Sequence, residues 1–152
     1  MDSERADYYS DLADILIWMD RYEEALEAIE RAIELNPKKA DHYSTLAEIL
    51  IWINRFGEGL EAINKAIELD QKRIKFYIQK ASYLAYDFNE YESALRILGK
   101  AFELNPEESS LFELYEHQAG ILLSMKNHES ALKVIEKARQ LFPSKEIFPN
   151  LQ

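Results

Sequence analysis

A tandem repeat constrains this chain more than any other feature of its sequence. The segment Tyr9–Pro37 aligns without gaps on Tyr43–Gln71. A third copy begins at the same interval, at Tyr77, and a fourth begins slightly later than that interval predicts, at Tyr115. The extra residues fall near residue 88 and around residues 107–111, between apolar segments, where loops accept insertions. Tandem copies with a period of about 34 residues indicate a repeat architecture.

Each copy carries two helical patterns. The apolar residues of the first copy recur at helical spacing in two runs, Tyr9, Leu12, Ala13 and Leu16, then Ala25, Ile29 and Ala32. Such spacings place each run on one helix face. A single hairpin of two helices cannot bury that face, whereas stacked hairpins can, so the pattern predicts a solenoid.

Polar joints separate the two helices of each copy. They lie at residues 20–21, 54–55, 87–90 and 126–127, mostly at Asp and Asn, which tolerate turn conformations. Pro37, Pro106 and Pro143 follow the second helices of three copies and cannot continue them. The second copy ends at residues 70–71 without proline, which is a weaker stop signal.

The pattern resembles the tetratricopeptide repeat (TPR) over nearly the whole chain. The first copy carries the family's sequence pattern in full, with Tyr9, Leu12, Ala13, Leu16, Ala25, Ile29, Ala32 and Pro37. The third and fourth copies depart from it at the leucine position, where Lys80 and Gln118 stand. The resemblance implies an all-α, right-handed superhelical solenoid of antiparallel helix pairs, whose first helices line a concave groove. It also implies a protein-binding scaffold rather than a catalyst.

We expect one domain, 1–152, with repeats at about 6–39, 40–73, 74–111 and 112–145. The segment 146–152 contains Ile147, Phe148 and Leu151. It is predicted to be a short C-terminal cap over the last apolar face, with a disordered end as the alternative.

Composition excludes several classes of function. A net charge of −10 argues against binding to nucleic acid, and the lack of cysteine removes thiolate zinc sites and disulfides. His42, His117 and His128 lack metal-ligand spacing, and no glycine-rich phosphate loop is present. We therefore predict no catalytic residue, cofactor or metal. The acidic N-terminal residues and the short apolar stretch Ile15–Met19 predict a soluble, cytoplasmic protein without a membrane segment.

An acidic row follows the first helix. Asp7, Asp11 and Asp14 lie at i, i+4 and i+7, and their counterparts in the second copy are Asp41, Thr45 and Glu48. Like charges at this spacing destabilise a helix. Acids in a first turn stabilise a helix start, which explains the first member of each row but not the last. Two interpretations stay open: an acidic binding groove, or an ordinary solvated surface.

Aromatic residues form a second unusual feature. Trp18 and Trp52 occupy equivalent positions, with Tyr86 next in line. The first helices of copies one and two are apolar over more than the ~100° stripe that packing requires. These side chains either seal the packing between repeats or form an aromatic strip for a partner or for self-association.

Some TPR proteins grip an acidic chain end with Lys, Asn and Arg in the groove. The matching positions here hold Ser10, Asp14, Thr45, Lys75 and Gln79, of which only Lys75 fits. We therefore do not predict binding to the acidic tails of heat-shock chaperones. The charge also varies along the chain: residues 1–39 carry 11 acids and 5 bases, whereas residues 112–152 carry 5 of each.

The leading hypothesis is a groove that binds a protein or peptide bearing basic and apolar residues. The candidate groove residues are Asp7, Ser10, Asp11, Asp14, Trp18, Asp41, Ser44, Thr45, Glu48, Trp52, Lys75, Gln79, Tyr86 and His117. The alternatives are a small acidic secretion-type chaperone for one client, an assembly element that self-associates through the aromatic strip, and a fragment or designed array. The irregular repeat spacing argues against an idealised design.

Overall fold

The computed structural model describes residues 2–146, which form eight α-helices and no strand. This confirms the all-α prediction. The helices are α1 (Ser3–Trp18), α2 (Tyr22–Leu35), α3 (Ala40–Trp52), α4 (Phe56–Leu69), α5 (Ile74–Tyr86), α6 (Tyr91–Phe102), α7 (Glu108–Ser124) and α8 (His128–Leu141). The predicted cap at 146–152 lies, apart from its first residue, outside the described residues. Within residues 2–146, no helix is long and apolar enough to cross a membrane.

The chain divides into two compact units, residues 1–76 and residues 77–152. In the first unit, α1 packs on α2, α3 on α4, and α3 also contacts both α1 and α2. One core cluster, formed mostly by the first repeat, is rich in small side chains, which allow helices to approach closely. The buried members of this cluster are Ala13, Leu16, Ala25, Ala28, Ile29, Ala32 and Ile49.

The second unit contains most of α5 together with α6, α7 and α8. In this unit α7 packs on α8 and α6 packs on α7. Tyr115, Ala138 and Phe142 form a buried cluster here, and Phe102 packs on Tyr115 with ring centroids 5.0 Å apart. Tyr115 and Ala138, which belong to the last repeat, are thus core residues.

Each polar joint contains a residue in the left-handed conformation, as the Asp and Asn residues there suggested. Asp20, Asn54, Asn89 and Lys126 have φ values of 56°, 64°, 57° and 60°. In three joints, the residue that follows the left-handed one donates its backbone N–H to the carbonyl five residues earlier, as from Arg21 to Leu16 at 2.9 Å. This is one of the bonds of a Schellman helix end. In the third repeat the bond runs from Glu90 to Leu84, six residues back, because of the extra residue predicted near residue 88.

Two glycines of α4 provide a matched test of how closely α4 packs on α3. A Cβ at Gly57 would meet no atom within 4 Å, whereas one at Gly59 would lie 2.9 Å from Ile51 Cδ1 and 3.3 Å from the Ala47 carbonyl oxygen. Gly→Ala at a compatible site stabilises by about 0.4–1 kcal/mol. We expect Gly57→Ala to gain about this amount in urea denaturation, and Gly59→Ala to gain less or to lose stability. An equal gain for the two variants would show that Ile51 moves freely.

His42 is a fully buried residue in the interface between the first two repeats. The equivalent position holds Tyr8, which is exposed, one repeat earlier, and Phe76, which is buried, one repeat later. Within residues 2–146 its ring nitrogens make no hydrogen bond of ordinary geometry, although the backbone at Asn36 is close enough to favour the charged ring slightly. Burial is the largest effect and lowers the pKa of His42, so the folded protein holds this ring neutral.

We expect the stability of the protein to fall as the pH drops below 6.5. The unfolded chain then binds a proton at His42 that the folded chain resists, and this shifts the equilibrium toward unfolding. His42→Phe, which copies the residue of the third repeat, removes this contribution. The measurement is the free energy of unfolding between pH 7.5 and pH 5.5. Because the carboxyl groups are the same in both proteins, parallel curves for wild type and His42→Phe would contradict the assignment.

Candidate functional site

The first members of the two acidic rows are each in an ion pair with the base that ends the same repeat. Lys39 Nζ donates to Asp7 Oδ1 at 2.5 Å, and Arg73 Nη1 donates to Asp41 Oδ1 at 2.9 Å. The second pair occupies, one repeat later, the same two positions as the first. Lys39 lowers the pKa of Asp7 through this hydrogen bond.

These two carboxylates therefore link the start of one helix to the residue just before α3 or α5, in addition to lying near helix starts themselves. All four side chains are about half exposed, so each pair contributes little stability by itself. The recurrence of an acid and a base at the same spacing was visible in the sequence and could have revealed the pairs. Asp7 and Asp41 are consequently less available to a ligand than the sequence suggested.

The later members of the rows, Asp14 and Glu48, lie close enough to repel each other. Burial raises the pKa of Asp14, and the neighbouring Asp11 raises it further. Burial also raises the pKa of Glu48, with the charge of Asp14 as the second cause. Lys75 lies near both groups and lowers both pKa values in part. Water is thus partly displaced from two neighbouring carboxylates that one lysine does not fully compensate.

The aromatic side chains adjoin this acidic pair. Trp18 follows Asp14 by one helical turn and is 87% exposed. Trp52 is 58% exposed, stacks on Tyr22 with ring centroids 5.7 Å apart, and lies close enough to Glu48 to lower the pKa of that carboxyl in part. Trp18 is therefore exposed rather than packed between repeats, while Trp52 is partly supported by its neighbours. Sequence analysis did not single out Tyr22 as part of this surface.

The remaining candidate residues are distributed over both units. Ser44 is buried in α3 and presents no accessible side chain. In the second unit, Gln79 donates to the Tyr83 hydroxyl at 2.6 Å, and His117 Nδ1 lies 3.5 Å from Ser82 Oγ. The others range from half-buried to exposed, namely Ser10, Thr45, Lys75 and Tyr86.

The first unit thus brings together Asp14, Glu48, Lys75 and Trp52, with Asp11 beside Asp14 and Trp18 one turn beyond it. We call these six residues the acidic–aromatic surface. In the part of the chain that the structure describes, no group of three or more His, Asp or Glu side chains is arranged to hold a metal ion.

The family model of the tetratricopeptide repeat matches residues 6–39, which hold α1, α2 and the joint between them. The eight helices described here are consistent with about four such repeats. The chain thus carries a tetratricopeptide repeat at residues 6–39, within a series of helical hairpins.

Solved structures with the same fold support this conclusion. The chain is 27% identical to the TPR2B domain of "TPR2B-domain:pHsp70-complex of yeast Sti1", with a TM-score of 0.72 over 80% of this chain and 99% of that one. It is 17% identical to "First TPR of Spaghetti (RPAP3) bound to HSP90 peptide SRMEEVD", with a TM-score of 0.71 over 83% and 99%. A third match is PilW, described as a widely conserved type IV pilus biogenesis factor, at 14% identity and a TM-score of 0.78 over 91% of this chain and 62% of that one. No curated protein matches the chain by sequence.

The electrostatic coupling in the acidic–aromatic surface is directly measurable. We expect Lys75→Met to raise the pKa of both Asp14 and Glu48, because their neighbouring cation is removed, and Asp14→Asn to lower the pKa of Glu48. NMR titration of the side-chain carboxyl carbons reads these values. Asp7, whose pKa depends on Lys39, is the internal control and should not shift in Lys75→Met. Unchanged values at Glu48 in both variants would show that the three groups are not coupled.

Proposed function

We propose that this TPR protein is an interaction module whose acidic–aromatic surface binds a basic, partly apolar peptide or helix of a partner protein. The observation that carries the proposal is Trp18, an indole 87% exposed on an acidic helix face. Tryptophan is among the residues that most often anchor protein interfaces, and exposing it to water without a partner is unfavourable.

The sign of the charge supports a basic ligand. Asp14 and Glu48 have raised pKa values because they are partly desolvated beside each other, and a lysine or arginine of a ligand would relieve both effects. The SRMEEVD peptide bound by the Spaghetti domain carries three acidic residues. An acidic ligand of that kind would meet repulsion here, so the charge preference of this surface is expected to be the opposite.

The class of function is supported by the fold. TPR domains are protein-interaction folds, and two of the matching structures are described as complexes with heat-shock protein peptides. A scaffold or adaptor role therefore suits this chain better than an enzymatic one. The surface indicates the chemistry of the partner, which is basic and partly apolar, rather than its identity.

The first experiment measures binding of a labelled peptide in which two lysines flank a leucine, by fluorescence anisotropy. Two exposed ion pairs are each worth up to about 1 kcal/mol, so Asp14→Asn with Glu48→Gln should weaken binding about tenfold. Trp18→Ala should weaken it about thirtyfold, since a truncated anchor costs about 2 kcal/mol. The same peptide with glutamates in place of the lysines should not bind.

The matched control removes two charges from the exposed face of α2, through Glu23→Gln and Glu27→Gln. This pair should leave the affinity unchanged at physiological salt, where exposed charges farther away are screened. Affinity that is indifferent to salt and to Asp14→Asn with Glu48→Gln would overturn the proposed charge preference. Tight binding of Trp18→Ala would overturn the role of the indole.

A further inference from the structure

Within residues 2–146, one apolar face of α1 is largely exposed. Tyr8, Ile15 and Met19 lie at i, i+7 and i+11 of α1 and its end, and they are 62%, 53% and 54% exposed. Side chains at this spacing share one face of a helix. This face is distinct from the acidic–aromatic surface, which follows the row from Asp11 through Trp18.

The same positions in the second repeat show what such a face does. One repeat later stand His42 and Ile49, both fully buried, and Ile53, which is half-buried. They belong to α3, which packs on α1 and α2. The face left bare on α1 is therefore the face by which the next repeat docks onto the one before it.

The last helix of the chain shows the complementary pattern. Leu132 and Leu141 of α8 are 54% and 51% exposed. Their counterparts are half-buried in each of the first three repeats, at Leu26, Leu35, Leu60, Leu69, Leu95 and Leu104. Leu26 packs against the core cluster that contains Ile49 of α3, the helix of the following repeat. The leucines of α8 are thus the side chains that a following repeat would cover.

We infer that these two faces bind each other between copies of the chain, with α1 of one copy docking on α8 of another. The contact would reproduce between molecules the packing by which α3 docks on α2 within the chain. A repeat array buries such apolar faces between neighbouring repeats, and α1 and α8 both present exposed apolar residues. The two faces are different surfaces, so the contact is heterologous and leaves one free face at each end of a dimer.

The charge distribution favours this head-to-tail arrangement over pairing of two α1 faces. Residues 1–39 carry a net charge of −6, from 11 acids and 5 bases, and two such ends would repel each other. Residues 112–152 carry as many bases as acids, including the exposed Lys133 and Lys137 of α8. In the head-to-tail contact, the acidic first repeat of one copy therefore meets the neutral last repeat of another, which offers lysines. Repulsion between like charges is smaller in this arrangement than in a contact between two acidic ends.

The experiment is sedimentation velocity of the full chain over a range of concentrations. Wild type should form dimers and then larger species as concentration rises, while Ile15→Glu and Leu132→Glu should each remain at the monomer mass of 17.8 kDa. Both side chains are exposed, so circular dichroism and urea denaturation should confirm that the variants stay folded. A wild-type chain that stays monomeric at every concentration would overturn the inference and assign the faces to another protein or segment.

Mixing the two variants gives the decisive result. The Ile15→Glu chain keeps an intact α8 face and the Leu132→Glu chain keeps an intact α1 face, so an equimolar mixture should form one-to-one dimers and nothing larger. If Leu132→Glu dimerises alone, the interface is a symmetric pair of α1 faces and the inference is wrong. Trp18→Glu is the control: it should assemble as wild type does, and its failure to assemble would move the contact to the aromatic residues.

Discussion

A helical hairpin with one apolar stripe cannot bury that stripe alone, and the rest of this structure depends on that constraint. In each repeat, small residues on the second helix, such as Ala25 and Ala32, let the neighbouring helices approach closely. The next repeat then covers what the hairpin leaves open, as Ile49 does for the first repeat. Stability of this kind is a sum of repeat and neighbour terms, so the first and last repeats necessarily differ from the inner ones.

This constraint also explains how the polar residues are used. The joints need one left-handed residue each, and Asp20 and Asn54 adopt that conformation at low cost. Asp7 and Asp41 each pair with the base that ends the same repeat, directly before the next hairpin begins. A carboxylate such as Asp14, by contrast, contributes nothing evident to folding. Burial and the neighbouring Asp11 raise its pKa, and under the function proposed above this carboxylate would serve binding rather than stability.

The sequence predicted the helical hairpins well because tandem self-similarity and helical spacing are local signals that recur along the chain. It singled out Asp14 and Glu48, which a helix-start effect did not explain, and it left two interpretations open for Trp18. It did not predict which acids would be neutralised, because the bases that pair with Asp7 and Asp41 lie almost a full repeat further along the chain. Nor could it distinguish exposure from burial for Trp18, since the two interpretations place the same side chain on the same helix face. That choice depends on tertiary packing.

The acidic character of the chain therefore has three separate physical meanings. Part of it is neutralised by the base that ends the same repeat, as at Asp7, and part of it forms local pairs at helix starts, as between Arg21 and Glu24. The remainder includes a desolvated pair beside exposed indoles, where charge complementarity would speed association and select the sign of a ligand. Apolar burial supplies affinity and charge supplies selection, so an exposed tryptophan next to uncompensated carboxylates specifies a partner more narrowly than either feature would alone.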